Sequence, residues 1–499
     1  MSHLTLSAVN FAWLPILPLA AVAAGAMAIM LIGPGVEDED SAGLGILALI
    51  TLLAALIFAI FTLGENSLAF GGSLATDDYA AFFEIVILIA TALTVAMSLD
   101  YVADEGMAGA EFYALILFAA FGMMLMAAAG DLIIIFIGLE TMSLAVYALA
   151  GFLRRDPRSN EAALKYFILG AFSTGFLLYG IALIYGATGT IGLAPIRAAL
   201  NERSAENPLL LLGLGMMLIG FGFKVAAVPF HMWTPDAYEG APTPVTAFMA
   251  VGVKLAAFAG FMRVFMANLG PVSAQWTMVL WAIAALTMTV GNFAALVQQN
   301  LKRMLAYSAI AHAGYLLVGM AATPRAMAGG AMLYYLIGYA FTNLGAFAVV
   351  IVLERKGAGG ATLNDFRGLS RSRPGLALAM TLFMLSLMGV PPLAGFVGKF
   401  YVFSAALSAH LVWLVIIAAL NSAVSVYYYA RVIVVMYAQE EAAAAPPRLA
   451  PRPGLVASVI VAVAGTILVG LYPQPWLDAA NSAYASALGR PATRVAALR

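Results

Sequence analysis

No cysteine occurs among the 499 residues of the chain. Structural disulfides and thiolate-ligated iron–sulfur clusters are thereby excluded. Charge is nearly as scarce: Lys, Arg, Asp and Glu make up 10% of the residues, where a soluble domain carries about a quarter. Histidine occurs only as His3, His231, His312 and His410, at no spacing that would pair axial haem ligands. The chain is therefore expected to hold no cofactor and to carry no electrons itself. There is no basic patch with interleaved aromatics of the kind that binds nucleic acid. The run GLGMMLIG at Gly213 is no dinucleotide fingerprint, because its third glycine is misplaced and no strand precedes it.

What is present in abundance is hydrophobicity, at 63% of residues and a mean hydropathy of +0.97. A chain this poor in charge cannot solvate its own surface, so its solvent is lipid. A membrane span needs roughly 20 apolar residues, and about fourteen segments meet that criterion. They lie near 11–32, 43–63, 80–99, 111–129, 131–152, 161–187, 208–238, 242–267, 274–296, 301–321, 327–354, 374–406, 409–438 and 454–474. The first lacks a basic leader and is long enough to span, so it reads as a transmembrane helix and not as a cleaved signal peptide. The expected fold is an all-α polytopic membrane protein.

Orientation follows from Lys and Arg in the connections. Connections after odd-numbered segments carry Arg154, Arg155, Arg158, Lys302, Arg303, Arg355, Lys356, Arg367, Arg371, Arg373, Arg448 and Arg452. Those after even-numbered segments carry little beyond Arg197, Arg203 and Arg325. The positive-inside rule then places both termini on the periplasmic side. The six tryptophans and many tyrosines are expected in interfacial belts.

Two segments are interrupted by proline. Pro229 in the seventh frees the carbonyl of Val225, and Pro391-Pro392 in the twelfth free those of Leu387 and Met388. Broken backbone at membrane depth is tolerated only inside protein or beside water. A lone kink would mean little, but these two lie five segments apart. A repeat of five spans must invert across the membrane, and paired broken helices in inverted repeats mark transporter-like folds. The expected organisation is an N-terminal three-helix segment (1–110), a first repeat of segments four to eight (111–270), an inverted second repeat of segments nine to thirteen (271–440), and a C-terminal helix and tail (441–499).

Ionisable residues at membrane depth cost on the order of 3 kcal/mol each and are functional candidates for that reason. Glu140 lies mid-way along the fifth segment. Lys224 lies five residues before Pro229, Lys254 ten residues after Pro244, and Lys399 eight residues after Pro391. The competing readings are structural: an ion pair locking helices, or a lysine snorkelling to an interface. His231 and His312 are weaker candidates for a relay, with ordinary helix packing as the alternative. Asp131 reads as a helix cap. Arg263, Arg431 and Glu84 lie nearer helix ends, where snorkelling or interfacial pairing accounts for them. Desolvation disfavours a charged lysine and a nearby carboxylate favours it. A Glu140–Lys224 pair that forms and separates would thus drive proton uptake and release, feeding a lateral relay in the order Lys224, Lys254, Lys399.

Three stretches carry a resemblance: GFGFKVAAVPFHMWTPDAYEGAPTPVTAFMAVGVKLAAFAGF from Gly220, QNLKRMLAYSAIAHAGYLL from Gln299 and GVPPLAGFVGKFYVF from Gly389. Together they resemble the antiporter-like membrane subunits of respiratory NADH–quinone oxidoreductase (complex I) and of multisubunit Na⁺/H⁺ antiporters. Within that family the likeness is to the subunit N branch. The chain ends soon after the fourteenth segment, and the twelfth carries Lys399 where the subunit M branch is expected to carry a glutamate. The resemblance implies a proton-translocating subunit of a quinone-reducing translocase. In it Glu140 and Lys224 match the input pair, Lys254 the central lysine and Lys399 the output residue. It also implies neighbours resembling subunits K and M, flavin and iron–sulfur clusters confined to partner subunits, and a bacterial inner membrane location. A subunit of a Na⁺/H⁺ antiporter is the alternative.

Overall fold

The computed structural model describes residues 16–36, 42–354, 362–438 and 452–489. Residues 11–15 of the first expected segment, together with His3, Arg355, Lys356 and Arg448, lie outside them.

The apolar segments fold as helices, and among the described residues twelve of these are long and apolar enough to cross a membrane. The fifth is Leu132–Ala150, the sixth Pro157–Thr188, the ninth Ala274–Leu296, the tenth Leu301–Ala321, the eleventh Ala326–Leu353 and the thirteenth Val412–Ala438. Short polar side chains set several N-termini by accepting a first-turn backbone N–H. Asp131 does this for Ile134 as expected, and Asp77, Asp156, Asn207 and Asn300 do it elsewhere. The third segment, Asp78–Asp104, and the sixth are longer than their apolar runs.

The two proline-bearing segments are split. The seventh is Pro208–Lys224 and then Trp233–Gly240; the twelfth is Pro374–Met388 and then Ala394–Ser408. The first break begins at Lys224 and passes through Ala226, whose φ of 60° lies in the left-handed region. The second turns at Gly389, with φ of 93°. A Cβ on Gly395 would strike the carbonyl oxygen of Ser386, so only glycine lets the two halves of that segment pass so closely.

The core is the eighth segment, which is buried along its whole length, with the tenth and eleventh nearly so. The first, second, sixth, ninth and fourteenth segments expose much of their apolar surface. The eighth alternates α and π geometry: π at Met249–Val253 and Met262–Asn268, α at Thr243–Phe248 and Lys254–Phe261. Elements with no expectation in the sequence include a β-hairpin pairing Ser67–Ala69 with Leu74–Thr76, and an amphipathic helix Pro473–Ala487 after the fourteenth segment.

Among the described residues, ion pairs between segments obey one parity. Asp236 pairs with Lys165 and Arg303, Glu239 with Arg303, Glu354 with Lys302 and Asp104 with Arg452, all at ends bordering odd-numbered connections. Asp77 pairs with Arg263, both at ends bordering even-numbered ones. Successive segments therefore cross in alternating directions, with odd connections on one side and even on the other.

Candidate functional site

Lys224 is the last residue of the first half of the seventh segment, and it is 3% exposed. Its position there follows from the break, which leaves it at the buried end of a half-helix. Its Nζ donates to Ser143 Oγ at 2.7 Å and to Tyr147 Oη at 3.0 Å, and lies 5.0 Å from the Tyr147 ring centre. Ser143 in turn donates to the Leu139 carbonyl.

Glu140 does not form the expected ion pair with Lys224. The two make no salt bridge, and Glu140 Oε1 is buried with no hydrogen-bond partner among the described residues. The two charges still interact electrostatically. The reason is local geometry: Ser143 and Tyr147 follow Glu140 at i+3 and i+7, on the same helix face, and they occupy the ammonium.

Lys254 stands where the first π stretch of the eighth segment ends. Its Nζ donates to the Ala309 carbonyl at 2.5 Å and to Tyr339 Oη at 3.1 Å. His312 lies one turn beyond Ala309, buried in the tenth segment. Its Nδ1 meets Tyr335 Oη at 2.6 Å and its Nε2 meets Tyr429 Oη at 3.1 Å. Its ring centre lies 5.3 Å from that of Tyr339 and 5.7 Å from that of Tyr315.

Lys399 completes this row. Its Nζ donates to Leu387 O at 2.9 Å, Met388 O at 3.0 Å and Ser422 Oγ at 3.0 Å, and it lies 5.0 Å from the Tyr315 ring centre. The two carbonyls are those that Pro391 and Pro392 deprive of a backbone donor, so the lysine's burial and the helix break explain each other. A small cavity lined by His312, Tyr339, Thr342, Ser386 and Leu387 separates the histidine from the break and has room for about one water.

Lys254, His312 and Lys399 are thus joined through tyrosines. Lys224 shares no hydrogen bond with this group among the described residues. His231, at the break of the seventh segment, is half-buried; its Nδ1 has no partner there and it touches none of the lysines through a hydrogen bond.

Tyr147, Tyr315, Tyr335, Tyr339 and Tyr429 read in the sequence as interfacial-belt residues, and Ser143 as an ordinary small helix residue. These tyrosines are buried. The spacing held the signal: Ser308, His312 and Tyr315 lie at i, i+4 and i+7, as do Tyr335, Tyr339 and Thr342. Of the two readings open for Arg263, pairing holds and not snorkelling: it is buried and grips Asp77 with two nitrogens at 2.8 and 2.7 Å. Lys302 is no free loop charge, being buried and donating to the Ala241 carbonyl at 2.7 Å.

A helical bundle with broken helices and a row of buried amines defines a polytopic, antiporter-like membrane protein. Residues 129–425 match the family described as NADH:quinone oxidoreductase/Mrp antiporter, TM. A relative from Trichlorobacter lovleyi, NADH-quinone oxidoreductase subunit N, is 49% identical over 92% of this chain and 94% of its own. A chain of respiratory complex I from Thermus thermophilus with bound aureothin superposes with a TM-score of 0.79 and 39% identity, covering 92% of this chain and 98% of that one. A chain of the Mrp complex from a Dietzia species shares the fold, with a TM-score of 0.81 at 22% identity over 98% of this chain and 100% of that one. The chain belongs to the NADH:quinone oxidoreductase/Mrp antiporter transmembrane family, and within it to the subunit N family of NADH-quinone oxidoreductase.

Proposed function

We propose that this chain is a proton-translocating subunit in the membrane arm of an NADH–quinone oxidoreductase. Lys254, His312 and Lys399 form the conducting row, and Glu140 and Lys224 form its gate. The observation that carries this reading is the row of hydrogen bonds and ring contacts that sets Tyr339, His312 and Tyr315 between Lys254 and Lys399. Each amine has a hydroxyl within 3.1 Å to receive its proton. Water in the cavity beside His312 would bridge the remaining gap towards the helix break.

Glu140 and Lys224 work through their separation. In the geometry described, Ser143 and Tyr147 hold the ammonium while the carboxylate stays unpaired. Rotation of the Lys224 side chain towards Glu140 would exchange two hydrogen bonds to neutral hydroxyls for an ion pair and hold the proton on the amine. Release back to Ser143 and Tyr147 would free that proton for the row. The seventh and twelfth segments run in opposite directions, which supports the two inverted repeats, 111–270 and 271–440, after the three-helix segment 1–110. NADH and quinone would react in partner subunits that hold the flavin and iron–sulfur clusters. Neighbours of the K and M type would flank this chain in a bacterial inner membrane, with both termini on the periplasmic side.

The test is to purify the assembled complex carrying Lys224→Ala or Glu140→Gln. Retained assembly with lost proton-coupled quinone reduction is expected, and undiminished coupled turnover in both variants would contradict it. The antiporter reading predicts Na⁺/H⁺ exchange independent of NADH, which the same vesicles would report.

A further inference from the structure

One buried carboxyl stands outside the lysine row. Glu84 lies two helical turns into the third segment and is 4% exposed, with no hydrogen bond or ion pair to any described residue. The charges that act on it are Asp77, at the cap of the same helix, and Arg263 on the eighth segment. These two are already committed to each other, at 2.8 and 2.7 Å. Tyr79, between them in sequence, donates its hydroxyl to the Ala259 carbonyl at 2.8 Å. Glu84 instead faces a small cavity with Thr62, Leu74, Thr76 and Ala128, closed by the second strand of the hairpin and sized for about one water. Thr62 spends its proton on the Ala59 carbonyl at 2.8 Å.

A carboxyl kept for structure is held by donors, because a buried polar group without partners costs stability. This one is held by none among the described residues and opens on a small recess that also holds the Thr76 side chain. We infer that Glu84 is a proton-exchange site of the N-terminal segment, separate from the lysine row and served by water in the recess beside Thr76. The step is a bare proton transfer: the carboxyl O–H breaks, the proton passes to water, and the carboxylate remains beside the Asp77–Arg263 pair. No other reactant takes part.

Infrared difference spectroscopy of the intact complex between acidic and alkaline buffer, in H₂O and D₂O, tests the assignment. A titrating, deuterium-sensitive carboxyl band is expected in the unmodified complex, lost in Glu84→Gln and kept in Glu140→Gln. Thr76→Val, which alters the recess and spares the carboxyl, should shift the same band. A Glu84→Gln complex with the unmodified spectrum overturns the proposal. If that variant fails to assemble, an unshifted band in Thr76→Val does the same. Loss of coupled turnover in the lysine variants would leave this band in place, so the two readings fail separately.

Discussion

Replacing Lys399 with methionine should damage the protein twice over, once in stability and once in turnover. The ammonium caps Leu387 O and Met388 O, the two carbonyls stranded by the Pro391-Pro392 break. A buried carbonyl left without its partner costs about 1–3 kcal/mol. Leu387 O is buried and Met388 O partly so, so the loss is about 1–3 kcal/mol from the first and less from the second, with the lost bond to Ser422 left out. Methionine fills the space but offers no donor. Arginine separates the two effects: it keeps a cation with several N–H donors, but a guanidinium does not give up its proton in proteins. The assay is thermal unfolding of the detergent-solubilised complex beside NADH-driven vesicle acidification. Lys399→Met should melt early and fail to acidify. Lys399→Arg should melt closer to the unmodified complex and also fail to acidify. A methionine variant as stable as the parent would refute the capping argument, and an arginine variant that pumps would refute proton release at this position.

Other variants probe the remaining joints. His312→Phe preserves the ring but severs the bonds to Tyr335 and Tyr429; the complex should assemble, with coupled turnover reduced roughly a hundredfold, as for loss of a general acid–base group. A Cβ on Gly170 would collide with the Tyr147 hydroxyl, so Gly170→Ala should push Tyr147 off Lys224 and slow turnover while leaving complex yield intact. Arg263→Ala leaves Asp77 buried without its counter-charge, a loss of about 3–5 kcal/mol, and should lower the yield of assembled complex on native gels. Replacing Asp77 and Arg263 together by apolar residues should recover much of that yield.

Hydrophobic run length alone makes nearly every helix legible, and the prolines make both breaks legible. Lys224, Lys254 and Lys399 stand out by depth alone, since a charge far from either end of an apolar run has few structural uses. Partner choice is not legible. Glu140 and Lys224 are the obvious charges to join, yet Ser143 and Tyr147 lie on the same face as Glu140 and take the ammonium first. Arg263 reads as interfacial because it lies near a helix end, whereas the end of the buried eighth segment is itself buried beneath the third. The hairpin and the helix at Pro473–Ala487 escape a search for spans because both are short and neither forms a long apolar run.

The central claim is that a proton must pass through Lys254 on its way to Lys399. Its most direct test is the number of protons moved per NADH oxidised by vesicles containing the assembled complex with Lys254→Met. The account predicts assembled complex whose proton-to-NADH ratio falls below the parent's or whose coupled turnover is lost. Assembled complex that pumps at the parental ratio and rate would contradict it.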